Sequence, residues 1–291
     1  MYSKFIKPPE DLVVFAINGS GLELNVIRII AILSIAFLVS ACETTRETKT
    51  NNIGANSPAQ PLKASFDKKK AAEGRVNTGL TYLNRNNYIR AKFHLDRALE
   101  YDDESGDVHY ALGLYFQRVK EYKKSEKHFD KALDIDRKNP RYLNAYGAFL
   151  CEKGEYKQAD KMFHRAIETP TYSDVAFALF NVGFCALRQE DTDKAEDYFR
   201  RALNRDRDMA GALIEMAKLE FGKSRYQRAM SYIQRYERNS KVSSESAWLA
   251  LRTAHYLRDK DSIAKYGTIL EQRFPDSDET AAYLDDKKRW M

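Results

Sequence analysis

This 291-residue chain predicts an all-α fold made of paired helices repeated six times. Three observations carry that reading. Small residues recur about every 34 positions, larger apolar residues recur between them, and the prolines of the second half avoid the helix interiors.

The small residues form parallel series. Gly79, Gly113, Gly147 and Gly183 are followed by Ala217. Ala91, Ser125, Ala159, Ala195, Ala229 and Ala264 form a second series, and Ala98, Ala132, Ala166 and Ala202 a third. Between the last two sit Leu95, Phe129, Phe163, Phe199 and Ile233. Small residues at fixed offsets let two helices approach closely, and the bulky residue fills the space they leave. Past residue 61 the prolines are Pro140, Pro170 and Pro275. Proline inside a helix costs about 3 kcal/mol, so these mark boundaries. The resulting frame is 72–105, 106–139, 140–173, 176–209, 210–243 and 245–278. Two extra residues fall near Thr169–Asp174, read as a longer loop, and residues 279–291 read as a capping helix.

A 34-residue period with this pattern resembles the tetratricopeptide repeat, a helix-turn-helix unit. The resemblance implies a right-handed superhelix of six helix pairs plus a C-terminal capping helix, occupying 71–291. The first helix of each pair would line a concave groove that binds polypeptides.

Composition agrees. Hydrophobic residues are 43% and charged residues 31%, which suits a globular helical chain rather than a disordered one. Seven Pro and thirteen Gly are few for a β fold rich in tight turns. The net charge of +6 lies entirely beyond residue 41, because Lys4, Lys7 and Arg28 balance Glu10, Asp11 and Glu23. Mildly basic character with interspersed signs argues against nucleic acid as a partner.

The amino end reads as an address. An uncharged apolar run from Ile29 to Cys42 is about 20 Å long as a helix, too short for a hydrocarbon core of about 30 Å. It suits a signal peptide over 1–41. Its end, Val39-Ser40-Ala41-Cys42, resembles a bacterial lipobox, which implies acylation of Cys42. Glu43 in the next position implies the outer membrane. Residues 1–27 lack the short basic opening of such signals, so the expected start lies near 22–26. Residues 42–70 are polar and without helical period, as in a flexible tether.

Helix-A positions 2, 5, 9 and 12 are expected on the concave side. The candidate protein-binding groove is therefore Val76, Leu80, Leu83, Tyr110, Leu114, Asn144, Phe177, Phe180 and Phe184. Phe177, Phe180 and Phe184 also satisfy a core stripe, and that alternative stays open. Asn77, Asn144 and Asn181 are candidates for gripping a bound backbone. Cys151 and Cys185 hold different positions in neighbouring A helices, so diverging directions and two free thiols are expected. The five His show no metal-ligand spacing, and nucleophile and phosphate-loop motifs are missing. No catalytic residue, cofactor or metal is expected.

Lipobox, tether and six repeats together are similar to the PilF/PilW family of type IV pilus biogenesis/stability lipoproteins, the secretin pilotins. Asn144-Ala-Tyr-Gly-Ala-Phe-Leu150, Glu168-Thr-Pro-Thr-Tyr172, Ser262-Ile-Ala-Lys-Tyr-Gly267 and Phe274-Pro275 carry the likeness. It implies that sorting machinery delivers the acylated protein to the periplasmic face of the outer membrane. There it would bind pilus secretin subunits and promote their multimerisation. The alternative from the residues alone is a repeat lipoprotein that scaffolds cell-wall hydrolases or other envelope assembly factors.

Overall fold

A computed structural model describes residues 66–285. The signal peptide, Cys42 and most of the expected tether lie outside the described residues. Among those described, every regular element is a helix. Six antiparallel pairs follow one another: α1 Lys68–Asn84 with α2 Tyr88–Tyr101, α3 Gly106–Arg118 with α4 Tyr122–Ile135, and α5 Pro140–Glu152 with α6 Tyr156–Ile167. Then come α7 Val175–Arg188 with α8 Thr192–Arg205, α9 Ala210–Gly222 with α10 Tyr226–Asn239, and α11 Ser244–Leu257 with α12 Lys260–Arg273. A short α13, Asp278–Asp285, closes the stack. The tether was expected to run to residue 70, but Lys68–Lys70 are already helical. No helix among the described residues is long and apolar enough to cross a membrane.

The pairs close on the small residues. A Cβ added at Gly147 would lie 2.8 Å from the Phe163 ring, and one at Gly113 would lie 2.8 Å from Phe129. The glycine thus lets the ring of the second helix sit directly on the backbone of the first. Phe129, Phe163 and Phe199 are fully buried, as are Ala91, Ala159, Ala195 and Ala229 beside this series. Ser125 takes the same register and satisfies its buried hydroxyl by donating to the Gly113 carbonyl at 2.8 Å.

The second helices show a clean division of labour. In α6 and α8 the apolar residues meet the partner helix and the charged residues face water. The inner first helices, α3 and α5 above all, are covered over most of their circumference. Every residue of α3 from Val108 to Gln117 is buried, because neighbours press on it from several sides.

The turns inside the pairs repeat a device that composition hides. Asn86, Lys120, Glu190, Ser224 and Arg258 all have φ between 55° and 61°, and Gly154 has φ 84°. Each is the left-handed residue that ends a first helix and turns the chain back. Five of the six are not glycine, so these turns carry backbone strain that the packing on either side sustains.

The sixth pair departs from the expectation. Ala264 is exposed, and Ile263 is buried in its place. Arg258 marks the turn 34 residues after Ser224, which places Leu251 and Ile263 in the register that Ala217 and Ala229 hold one pair earlier. Two large aliphatics at the contact replace a small-residue pair. The Ala264 spacing was one residue long because no small residue remained to mark the true position.

The 169–174 insertion is more than a solvated loop. Tyr172 is buried with Leu143, Ala166 and Ala178, and burial raises the pKa of its hydroxyl. The prolines stand as expected at boundaries: Pro140 opens α5, Pro170 lies between α6 and α7, and Pro275 between α12 and α13.

Gly147→Ala should destabilise the fold by about 1–3 kcal/mol, since the new methyl meets an immobile buried ring. Gly74→Ala, where nothing lies within 4 Å of the new methyl, should stabilise by up to about 1 kcal/mol through helix propensity. Urea denaturation of the two variants should therefore move in opposite directions.

Candidate protein-binding face

The predicted groove residues separate into two groups. Val76, Leu80, Leu83, Tyr110 and Leu114 are buried in one continuous core with Leu95 and Phe129. Phe180 is only 2% exposed. It lies 5.5 Å from the Phe199 ring and 3.0 Å from where a Cβ on Gly211 would sit. These six side chains serve helix packing, and their expected exposure on an open groove is corrected accordingly. Neighbouring first helices pack directly on one another and take what would be a lining into the interior. Asn144, Phe177 and Phe184 keep accessible area, and Leu187 joins them. The accessible apolar ledge is therefore on α7.

Polar groups tie the neighbouring first helices together. The Asn181 side-chain amide donates to the Asn144 side-chain carbonyl at 3.0 Å. This pair holds α5 against α7. Of the three asparagines considered for gripping a ligand, Asn77 alone is exposed. Tyr142 donates to the Asp107 carboxylate at 2.8 Å, and Arg141 donates to the same oxygen at 2.9 Å. Tyr110 stacks on Tyr142 at 5.4 Å, with the Arg141 guanidinium over its other flank at 5.1 Å. Burial raises the pKa of both tyrosines, so both remain neutral hydrogen-bonding groups.

Cys151 and Cys185 form a disulfide between α5 and α7, with Cα atoms 5.8 Å apart. This corrects the expectation of two free thiols. Neighbouring first helices are related nearly by translation, so equal positions point the same way. Facing side chains must hold different positions, and the two cysteines do.

A second cluster lies where α3 meets α4. His109 Nε2 is 2.9 Å from the Asp103 carbonyl, which only accepts, so that nitrogen carries the proton. His109 Nδ1 then accepts from His128 Nδ1–H at 3.0 Å. Phe116 stacks on His128 at 5.4 Å. Desolvation is the largest cause lowering both pKa values, that of His128 to about 4, with Lys131 adding to it for His109 and Lys127 and Lys92 for His128. The Asp103 carbonyl and carboxylate act the other way on His109. The shared spacing of His94 and His128 gave no hint of this pair, since His109 comes from outside that series. Among the described residues no group of His, Cys, Asp and Glu could hold a metal ion.

Tetratricopeptide-repeat family models match residues 140–208 and 185–244, and a model of YpiA-like C-terminal tetratricopeptide repeats matches 107–170. The type IV pilus assembly protein PilF of Pseudomonas aeruginosa is 32% identical over 217 residues, covering 75% of this chain and 86% of that protein. The chain belongs to the PilF family. The solved structure of Pseudomonas aeruginosa PilF superposes with a TM-score of 0.65 at 31% identity, over 75% of this chain and 99% of that one. The crystal structure of PilW, described as a widely conserved type IV pilus biogenesis factor, gives a TM-score of 0.64 at 24% identity, over 73% and 98%. PilW shares the fold, and PilF shares both fold and family with this chain.

Two outcomes follow. Reduction, or replacement of both cysteines by serine, should lower stability by up to about 4 kcal/mol, the chain-entropy value for a ring of this size. Urea midpoints with and without reductant measure it, and the serine variant should ignore reductant. For the histidines, the folded state holds both neutral below their unfolded pKa of 6.5. The unfolded chain then binds more protons, so stability falls as pH drops from 6.5 towards about 4. With solvent reaching His128 the loss should be about 1–2 kcal/mol, and His128→Gln should flatten the slope of urea midpoint against pH.

Proposed function

We propose that this protein is a lipid-anchored outer-membrane component of type IV pilus biogenesis that binds secretin subunits and promotes their localisation and multimerisation. The PilF relationship carries the reading: a relative named for type IV pilus assembly covers three quarters of the chain. Two further features support it. The Cys151–Cys185 disulfide suits an oxidising compartment such as the periplasm. The accessible Phe177 and Phe184 on α7 suit a partner's apolar anchor residues. In this reading acylated Cys42 moors the repeats, residues 42–70 act chiefly as tether, and the anchor raises the local concentration of captured subunits near the membrane.

The reading is tested in two steps. Cys42→Ser should leave the repeat fold intact by circular dichroism and move both the protein and the secretin away from outer-membrane fractions. Unchanged fractionation of the secretin would refute the delivery role. Phe177→Ala with Phe184→Ala should weaken secretin pull-down while the melting curve changes little. Phe180 is unsuitable for this purpose, because removing a buried aromatic costs about 3–5 kcal/mol of stability.

A further inference from the structure

The last two pairs carry an aromatic cluster around one cation. Phe221 ends the α9 region, Tyr226 opens α10, and Trp248, Arg252 and Tyr256 lie on α11. Tyr226 and Tyr256 stack face to face at 4.4 Å with planes 2° apart. Phe221 meets their edges at 5.5 and 5.7 Å. The Arg252 guanidinium lies 4.6 Å over Phe221 and 5.9 Å from the Trp248 ring. Tyr256 is 55% exposed, one of the few large side chains so open to water.

Arg252 is unusual for what it lacks. Lys218, one pair earlier in the same register, lies between Glu215 at 2.9 Å and Glu245 at 2.7 Å. Arg141 is paired with Asp107 at 2.9 Å. Arg252 makes no hydrogen bond or ion pair among the described residues. Desolvation lowers its pKa, yet a guanidinium stays charged. A half-buried charge without a counter-ion works against stability. An aliphatic side chain would fill the same place without that cost. The Phe221 and Trp248 rings lie within cation–π reach of the guanidinium, and no acceptor among the described residues answers its N–H groups.

The register sets Arg252 apart from its counterparts. Leu80, Leu114, Ala148 and Phe184 occupy, in the first four pairs, the position that Lys218 and Arg252 occupy in the last two. The position is core in the first two pairs, partly open at Phe184, and cationic in the last two, and Arg252 is the cation left uncompensated.

We propose that Arg252, with Phe221, Trp248 and Tyr256, is a docking site for an acidic side chain carried beside apolar residues on a partner polypeptide. The carboxylate takes the in-plane N–H edge as a bidentate acceptor, and the rings cover the neighbouring apolar groups. Charge complementarity selects the acid. Capture of a chain terminus draws instead on converging amide donors, and the Asn144–Asn181 amides are bonded to each other on α5 and α7. The site does not depend on the secretin assignment, since it specifies the chemistry of the occupant and not its identity.

The test uses the full chain and a fluorescent capped hexapeptide, Leu-Glu-Phe-Glu-Leu-Glu, with its all-glutamine counterpart and a glutamine version with a free carboxyl end. Anisotropy should show the glutamate peptide binding about tenfold or more tighter than the capped glutamine peptide, as expected for loss of a charge-assisted pair. R252Q should remove that preference, and R252K should keep part of it. Thermal melts check folding. If R252Q fails to fold, the glutamate-to-glutamine comparison on the native protein and on R252K still decides. Equal binding of both capped peptides, undiminished binding by a folded R252Q, or binding that requires the free carboxyl end would each overturn the proposal. None of these outcomes bears on secretin capture through Cys42 or α7.

Discussion

The structure depends on the contact between a ring on one helix and a bare backbone on the other. At Gly147 and Phe163 the separation leaves no room for a methyl group. That closeness fixes the distance and rotation of the second, third and fourth pairs. It also lets the alanines beside the ring, at 0% exposure, complete a contact without voids. A single pair cannot shield its remaining apolar faces, so each must be covered by the next. The near-total burial of α3 is the consequence, and the same burial removes most first-helix side chains from any ligand. Function is left to positions where the stack changes.

Much of the fold was legible because that contact writes a period into the sequence. The glycine, alanine and phenylalanine series each mark one face of it, and the prolines mark the gaps. The period failed where the chemistry changed. Leu251 and Ile263 do the work of small residues in the sixth pair, so Ala264 took their place on paper while lying exposed in the structure. The left-handed turn residues keep an unbroken register through all six pairs, but Asn, Lys, Glu, Ser and Arg share no composition. They would have fixed the sixth frame had their common role been visible. A conformation enforced by packing on both sides leaves little trace in residue type.

The binding face was less legible, for a geometric reason. A helical wheel assigns direction within one helix but not what packs on it, and neighbouring helices cover Leu80, Leu114 and Phe180 while Phe177 and Phe184 keep a partial outlook. The cysteines were misread by treating two first helices as mirror images. They are near-translations, so a bridge requires unequal positions. The histidine pair had no period at all, since His109 and His128 meet from different helices through one hydrogen bond and a stacked ring contact.

These features meet at the junction of the third and fourth pairs. The period breaks there by two residues, which in a repeat stack would loosen the step between neighbours. Instead Tyr172 from the inserted loop fills the gap, the Asn144–Asn181 bond crosses it, and the Cys151–Cys185 disulfide closes it covalently. The irregular step is thus the one that, among the described residues, a covalent bond closes. Phe177 and Phe184 project from α7, one side of this step. A ledge on a tied element loses less conformational freedom when a partner binds than the same side chains would on a loose one, and that difference appears directly as affinity. The insertion and its ties are best understood together: the loop lengthens the step into α7, and the cross-links hold that helix against α5.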